Sequence, residues 1–353
     1  MSQVRIEKVR ILILILLVSL LAVYFRWKAF PFVQVYSDSL SPFAGGVQFF
    51  ELGFAKPPNP ESDHWLWFST LPFLSMTSSL QELFWFRFLG NVVIIPLGML
   101  SVYILLPKHR IFGAGAVGAL LAVDSGLLDT LVSSFRGYFA PEYMGLACLG
   151  VALYPKKRRL GLGLAIIGSV LSGGQHPLAL GSLLGLGLLG TLTWRSSRRD
   201  FWLGLALLGL CFLPRIFWTW QLLQCDSGGL SCLSEIAMSS SERVSIFAQL
   251  IRVVHDRFWV EMGIGGVFLL LGIWHSRKEV FTQWVLFSIL GVLILGLSIS
   301  TLRPYHFRAL AVPMVVASVL GWMRIGRISF VIVPIWLISL MVFPPRQVAW
   351  KNQ

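Results

Sequence analysis

Residues 160–194 form an uninterrupted apolar stretch, LGLGLAIIGSVLSGGQHPLALGSLLGLGLLGTLTW, which contains no Asp, Glu, Lys or Arg. A single helix of this length would extend about 52 Å, whereas the hydrocarbon core of a bilayer is about 30 Å thick. The glycine pair at 173–174 and Pro177 interrupt the helical pattern near its middle. We therefore predict two membrane-spanning helices joined by a tight turn that contains Gln175 and His176.

The whole chain has the composition of a membrane protein. Its 353 residues are 56% hydrophobic and 13% charged, and the charged fraction is about half that of an average soluble domain. A soluble core could not bury so much apolar surface. The net charge of +13 comes in short basic clusters between apolar runs. That pattern follows the positive-inside rule of membrane proteins and argues against nucleic acid as a partner.

The apolar runs predict an all-α, polytopic transmembrane bundle of about 11 spans, with residues 1–353 forming a single membrane domain. The first run follows Arg5, Lys8 and Arg10 and has no small-residue cleavage site after it, which favours a retained helix over a signal peptide. The runs are 10–25, 86–106, 111–125, 138–155, 160–174, 177–194, 201–222, 258–274, 280–300, 309–323 and 328–344.

The basic clusters predict the orientation of the bundle. Alternate loops are short and basic, which places them and the N-terminus in the cytoplasm and the C-terminus outside. The long loops 26–85 and 223–257 then lie outside, and aromatic residues in the first predict interfacial helices. Compact loops favour a bacterial inner membrane with a periplasmic active face. The basic residues of the short loops are Lys108 and Arg110, the run 156–159, Arg195, Arg198 and Arg199, Arg277 and Lys278, and Arg324 and Arg327.

The four cysteines divide between loop and helix. Cys225 and Cys232 lie in an outer loop, where an oxidising compartment permits a disulfide, the alternative being two free thiols. Cys148 and Cys211 lie in predicted helices and are expected to pack as small apolar residues. No Cys or His pair has the spacing of a zinc site, so we predict neither a metal nor another cofactor.

Asp38 is the acidic residue that most resembles a catalytic group. It lies in Val-Tyr-Ser-Asp-Ser-Leu-Ser-Pro-Phe (35–43), about a dozen residues beyond the first predicted helix. Burial beside apolar neighbours would make it a general base. The alternative is a helix N-cap, a common use of Asp flanked by Ser.

Other polar residues on the predicted outer side also have two interpretations. Asp124 and Asp129 either contribute to the same cleft as Asp38 or are solvated loop residues. Arg136 and Glu142 either belong to that cleft or pair with each other. His176 lies in a very short turn and is interpreted as an ordinary turn residue.

Arginines on the predicted outer side form another set of candidate site residues. Arg215 lies inside a predicted span, where a charge costs at least about 2.5 kcal/mol and marks a functional site unless the side chain reaches the interface. Arg303, His306 and Arg308 form the densest outer cationic cluster. Guanidinium groups bind phosphate well, and the alternatives are pairing with carboxylates or lipid head groups.

These features together resemble the GT-C superfamily of membrane glycosyltransferases. The shared pattern is a first helix, a long outer loop with an early acid at Asp38, and an outer hairpin opened by Arg136 and Glu142. Late in the chain, Arg-Pro-Tyr-His-Phe-Arg-Ala-Leu-Ala-Val-Pro (303–313) leads into an apolar helix.

The resemblance implies inverting transfer of a sugar from a polyprenyl-phosphate carrier to an acceptor on the outer face, without a metal. Asp38 would act as general base. The short tail after the last span implies a small acceptor or a partner protein. The implied lipid-phosphate binders are Arg303, His306 and Arg308, with Arg215 and Arg136 as second choices.

Three other classes of protein remain open. A transporter or flippase would use Arg215 at membrane depth, although no internal repeat is visible. A non-catalytic scaffold subunit of a membrane complex is compatible with a lone acid at Asp38. Another membrane transferase, similar to an O-antigen ligase, would be expected to have a larger late outer loop.

Overall fold

A computed structural model describes residues 3–29, 80–124, 126–128, 140–175, 181–192, 246–255, 262, 264–298 and 304–342. This part of the chain is helical and contains no strand, which confirms the predicted all-α class. Two 3-10 helices, Pro304–Leu310 and Gly326–Ile328, precede the last two α-helices. The α-helices are α1 (Gln3–Ala29), α2 (Leu80–Leu105), α3 (Arg110–Val123), α4 (Ala140–Leu153), α5 (Arg158–Gln175), α6 (Gly181–Leu192), α7 (Ile246–Val253), α8 (Ile264–His275), α9 (Val280–Ser298), α10 (Ala311–Arg324) and α11 (Ser329–Val342).

Ten of the predicted apolar runs overlap a described helix, and the run 201–222 lies outside the described residues. The stretch 160–194 contains two described helices, α5 and α6, as predicted, but α5 continues through the glycine pair at 173–174 and ends at Gln175. The predicted turn position of Gln175 is therefore wrong, and His176 and Pro177 lie outside the described residues. The loop boundaries differ from those expected. Helix α1 continues to Ala29 and α2 begins at Leu80, so both ends of the predicted loop 26–85 are helical, and α7 lies within the predicted loop 223–257.

Three described segments are long and apolar enough to cross a membrane: Arg5–Lys28, Phe88–Leu105 and Phe307–Arg324. Their environments differ sharply. Only 11% of the first segment is buried inside the protein, against 89% of the last. Helix α1 is therefore peripheral and presents apolar side chains to its surroundings, whereas α10 lies at the centre.

Helix α10 is surrounded by other helices. Every residue from Ala311 to Met323 is buried. The helix packs against α2, α3, α4, α8, α9 and α11. Pro313 is tolerated because it lies in the first turn, where backbone N–H groups have no partner within the helix.

Close helix contacts depend on glycine. A Cβ atom on Gly150 of α4 would lie 2.7 Å from the carbonyl oxygen of Gly161 of α5, and a Cβ on Gly161 would meet the Gly150 carbonyl oxygen at the same distance. A Cβ on Gly321 of α10 would collide with the carbonyl oxygen of Gly272 of α8. Small residues allow this backbone approach, as they do in membrane helix pairs.

The described basic loops lie at one end of the bundle. Lys156 Nζ donates a hydrogen bond to the Ile104 carbonyl oxygen at 3.0 Å, which joins the α4–α5 loop to the end of α2. Arg324, at the end of α10, forms an ion pair with Glu279 in the α8–α9 loop. The ring of His109 lies 5.3 Å from that of Phe330 in α11. We call this end the basic end and the other the opposite end.

Substituting Gly321 with Ala should destabilise the protein because α8 and α10 would have to separate. Overpacking of this kind costs about 1–3 kcal/mol in the free energy of unfolding. The measurement is denaturant titration of the purified protein in detergent. Gly163→Ala is the matched control, since nothing lies within 4 Å of a Cβ at Gly163. Wild-type stability of Gly321→Ala would contradict the close contact.

Candidate functional site

The most unusual polar residue of the described chain is Arg26 in the last turns of α1. Sequence analysis placed this residue in the outer loop, just after an apolar run. In the structure it belongs to the helix, and its side chain is fully buried, with an exposed fraction of 0%. A buried guanidinium is costly unless it is paired and hydrogen-bonded, so its surroundings define a candidate site.

Four hydrogen bonds hold the Arg26 guanidinium. Its Nε donates to Asn91 Oδ1 at 2.7 Å. Its Nη1 donates to the carbonyl oxygens of Ala22 at 3.4 Å and Ala122 at 3.2 Å, and its Nη2 donates to that of Leu121 at 3.3 Å. The two carbonyls of residues 121 and 122 are at the end of α3, where carbonyl groups lack helical partners. Arg26 therefore ties α1 to both α2 and α3.

Asn91 extends the network. Its Oδ1 accepts the bond from Arg26, while its Nδ2 donates to the carbonyl oxygen of Leu127 at 3.2 Å. The side chain is almost completely buried, at 2% exposure. One amide thus joins the guanidinium to the helical turn that follows α3.

Asp124 starts that turn. Its Oδ1 accepts a hydrogen bond from the backbone N–H of Leu127 at 2.9 Å, and its carbonyl oxygen accepts one from the N–H of Leu128 at 3.0 Å. This is the geometry of a helix N-cap. The residue is 4% exposed. The interpretation of Asp124 as a solvated loop residue is therefore wrong, and the structure places it in a buried site.

Two acidic residues, Asp124 and Glu142, lie within electrostatic reach of Arg26. Both carboxylates interact electrostatically with the guanidinium. Glu142 lies in the first turn of α4 and is buried, with 9% exposure. This shared charged centre involves α1, α2, α4 and the end of α3, and we call it the Arg26 cluster: Arg26, Asn91, Asp124 and Glu142.

The predicted cationic segment packs against the helix that contributes Glu142 to this cluster. Residues Pro304–Leu310 form a 3-10 helix that contacts α4, which begins next to Glu142, and α9. Phe307 anchors the segment in the core, with 1% exposure, and the Arg308 side chain is partly buried. His306 lies in the same 3-10 helix.

The structure thus brings Asp124 and Glu142 within electrostatic reach of Arg26, and it places the segment that carries His306 and Arg308 against the helix of Glu142. The remaining predicted site residues lie outside the described residues: Asp38, Asp129, Arg136, His176, Arg215, Cys225, Cys232 and Arg303. Cys148 is a free, fully buried thiol, which confirms its expected role as an apolar packing residue. Among the described residues, no group of three His, Cys, Asp or Glu side chains is arranged to hold a metal.

Sequence reasoning missed Arg26 and Asn91. A signal for Arg26 was present, because an arginine that follows the first apolar run on the outer side runs against the positive-inside rule. Asn91 carries no comparable signal. The sequence does not show which groups an amide within an apolar helix will bond, because its partners come from other helices. No protein family model matches the chain, and no curated protein matches it significantly.

Replacing Arg26 with Met should strongly destabilise the bundle, because it leaves the buried acids without their cation. It also leaves the Asn91 amide and helix-end carbonyls without their donor, and each buried polar group left unpaired costs about 1–3 kcal/mol. The free energy of unfolding in detergent measures the effect, with Arg10→Met on the exposed face of α1 as matched control. The double variant Arg26→Met, Asp124→Asn should recover part of the loss. If Arg26→Met were as stable as Arg10→Met, the result would contradict a structural role for the cluster.

Proposed function

We propose that the chain is a polytopic membrane protein of about 11 spans whose basic end faces the cytoplasm. The described apolar helices, the peripheral α1 and the gathering of basic loops at one end support this topology. In a bacterial cell the membrane would be the inner membrane, with the opposite end in the periplasm. The Arg26 cluster then lies near the outer surface.

The topology predicts opposite labelling of the two ends. In a cysteine-free background, Ser240→Cys in the second long loop should react with a membrane-impermeant maleimide in intact cells. Lys157→Cys, exposed in the α4–α5 loop, should react only after permeabilisation. The measurement is the labelled fraction of each variant before and after detergent. Equal labelling of both in intact cells would contradict the proposed orientation.

We further propose that the protein transfers a sugar from a polyprenyl-phosphate carrier to an acceptor at the opposite end. The observation that carries this proposal is the buried Arg26 cluster, whose Glu142 lies in the helix that the 3-10 helix of Arg308 contacts. Buried charges in the membrane-spanning part of a protein are expensive and mark functional sites by default. The 3-10 helix supplies the residue types that bind phosphate.

The cluster also limits the position of Asp38, because Asp38 follows α1 closely in the sequence. Helix α1 ends at Ala29, and Asp38 lies nine positions further along the chain. Nine extended residues reach at most about 32 Å, so the anchored end of α1 limits where Asp38 can lie. In this proposal Arg26 is a positioning residue, which holds the end of α1 against α2 and α3.

The proposed reaction uses few groups. Asp38 accepts the proton of the acceptor hydroxyl, whose oxygen attacks the anomeric carbon. The bond between that carbon and the phosphate oxygen breaks, the anomeric configuration inverts, and the lipid phosphate leaves. Positive side chains stabilise the leaving phosphate, and the proposal requires no metal or other cofactor. These side chains are Arg303, His306 and Arg308, with Arg215 and Arg136 as second choices.

Asp38→Asn should lower turnover about 100-fold or more while binding of the lipid donor persists, because Asn keeps the shape and removes the base. The assay follows release of the lipid phosphate from several polyprenyl-phosphate sugars by the purified protein, with a mixture of candidate acceptors. Asp63→Asn, in the same loop, is the matched control and should retain activity.

The other outcomes of this assay separate the alternatives. Equal turnover by Asp38→Asn and wild type would keep the transferase and reject Asp38 as its base. Absence of turnover by the wild type with every donor would reject sugar transfer and favour the transporter or scaffold hypotheses. Transport of the labelled lipid across proteoliposomes would then distinguish those two.

A further inference from the structure

A cleft of about 720 Å³ lies at the basic end, away from the Arg26 cluster. It is bordered by α1, α3 and α11, and its volume is within the range of about 300–1,000 Å³ typical of small-molecule sites. Leu14 of α1 and Val333 and Leu337 of α11 form apolar walls. Polar groups line it only where it reaches the basic end.

Small residues of α3 create the depth of this cleft. Gly115, Ala116 and Ala119 line it, and a Cβ on Gly115 would meet Leu14 of α1 only at an ordinary distance of 3.5 Å. The lining on α3 runs from Arg110 to Ala119, ten residues that extend about 13 Å along the helix. This depth is close to the roughly 15 Å of one leaflet's hydrocarbon region, half of the bilayer core.

The entrance carries charge. His109, Arg110 and Glu7 line it, and the exposed Lys108 adjoins them. Glu7 and Arg110 both interact electrostatically with the Tyr103 hydroxyl, and the Arg110 guanidinium lies 5.8 Å from the centroid of the Tyr103 ring. Arg110 Nε donates to the carbonyl oxygen of Leu106 at 2.7 Å, which fixes the base of its side chain at the entrance.

His109 is held at the entrance by an unusual backbone conformation. Its φ of 54° is in the left-handed region, and it is the only non-glycine residue of the described chain with a positive φ. Its ring packs edge-on against Phe330 at 5.3 Å. Strained residues of this kind persist where surrounding contacts enforce them and are frequent at ligand sites.

We propose that this cleft binds one phospholipid of net negative charge, with an acyl chain between α1 and α11 and the head group at Arg110 and His109. The apolar walls and leaflet-length depth match an acyl chain. Charge complementarity selects the head group, because the cations Arg110 and Lys108 outnumber the one acid, Glu7, at this end of the cleft. The inference goes beyond sugar transfer and rests only on the proposed membrane topology.

Native mass spectrometry of the purified full chain tests this proposal by comparing phosphatidylglycerol with phosphatidylcholine. We expect the wild type to retain one phosphatidylglycerol about tenfold more than one phosphatidylcholine, the ratio that one charge-assisted hydrogen bond supports. Arg110→Gln should lose this preference, and Arg110→Lys should restore part of it. Ala119→Leu fills the cleft and should reduce retention of both lipids. Lys278→Gln, exposed at the same end but outside the cleft, should behave as the wild type.

Several results would overturn the proposal. Equal retention of the two lipids would leave ordinary lipid contact only, and unchanged retention by Ala119→Leu would place the lipid elsewhere. A loss in Lys278→Gln as large as in Arg110→Gln would indicate a diffuse basic surface. Displacement of the lipid by millimolar inorganic phosphate would indicate a site for free anions. Because the readout is lipid binding, it is independent of the turnover assay that tests sugar transfer.

Discussion

Complete burial of α10 is the constraint on which the rest of the structure depends. A helix buried along thirteen consecutive residues needs neighbours on every side, and α2, α3, α4, α8, α9 and α11 supply them. Its neighbours can approach closely only where side chains are small, as at the crossing of Gly321 with Gly272. Since the 3-10 helix before α10 continues from the same core, its Phe307 anchor also fixes the position of Arg308.

The two ends of this bundle use charge differently. At the opposite end, Arg26 is fully buried, and its bonds go to helix-end carbonyls and Asn91, so the group holds three helices in one arrangement. At the basic end, cations such as Arg324 and Lys156 are exposed or pair with loop groups and end carbonyls. Exposed pairs contribute little to stability, typically about 0–1 kcal/mol. The first arrangement joins three helices at one buried point, whereas the second leaves charged side chains exposed.

Asp124 illustrates how a local and a long-range role can coincide. Its side chain caps the turn that follows α3 and also lies in the field of Arg26, which is 98 residues earlier in the chain. The capping role could be inferred from an Asp placed at a helix boundary. The pairing could not, because it depends on α1 and α3 lying side by side. The same limit applies to Glu142, for which the sequence offered Arg136 as the nearest partner.

The sequence by itself determined the helical class, the division of residues 160–194 into two helices and the position of ten apolar runs. These follow from local properties, namely hydrophobic length, helix-breaking glycine and proline, and the spacing of basic clusters. Only the tertiary structure decided that α1 is peripheral while α10 is central, since both contain a long apolar stretch. The hydrogen bond between Arg26 and Asn91 and the cleft lined by Ala119 also depend on the tertiary structure. Packing partners in an apolar bundle are chosen by shape, which hydrophobicity does not encode.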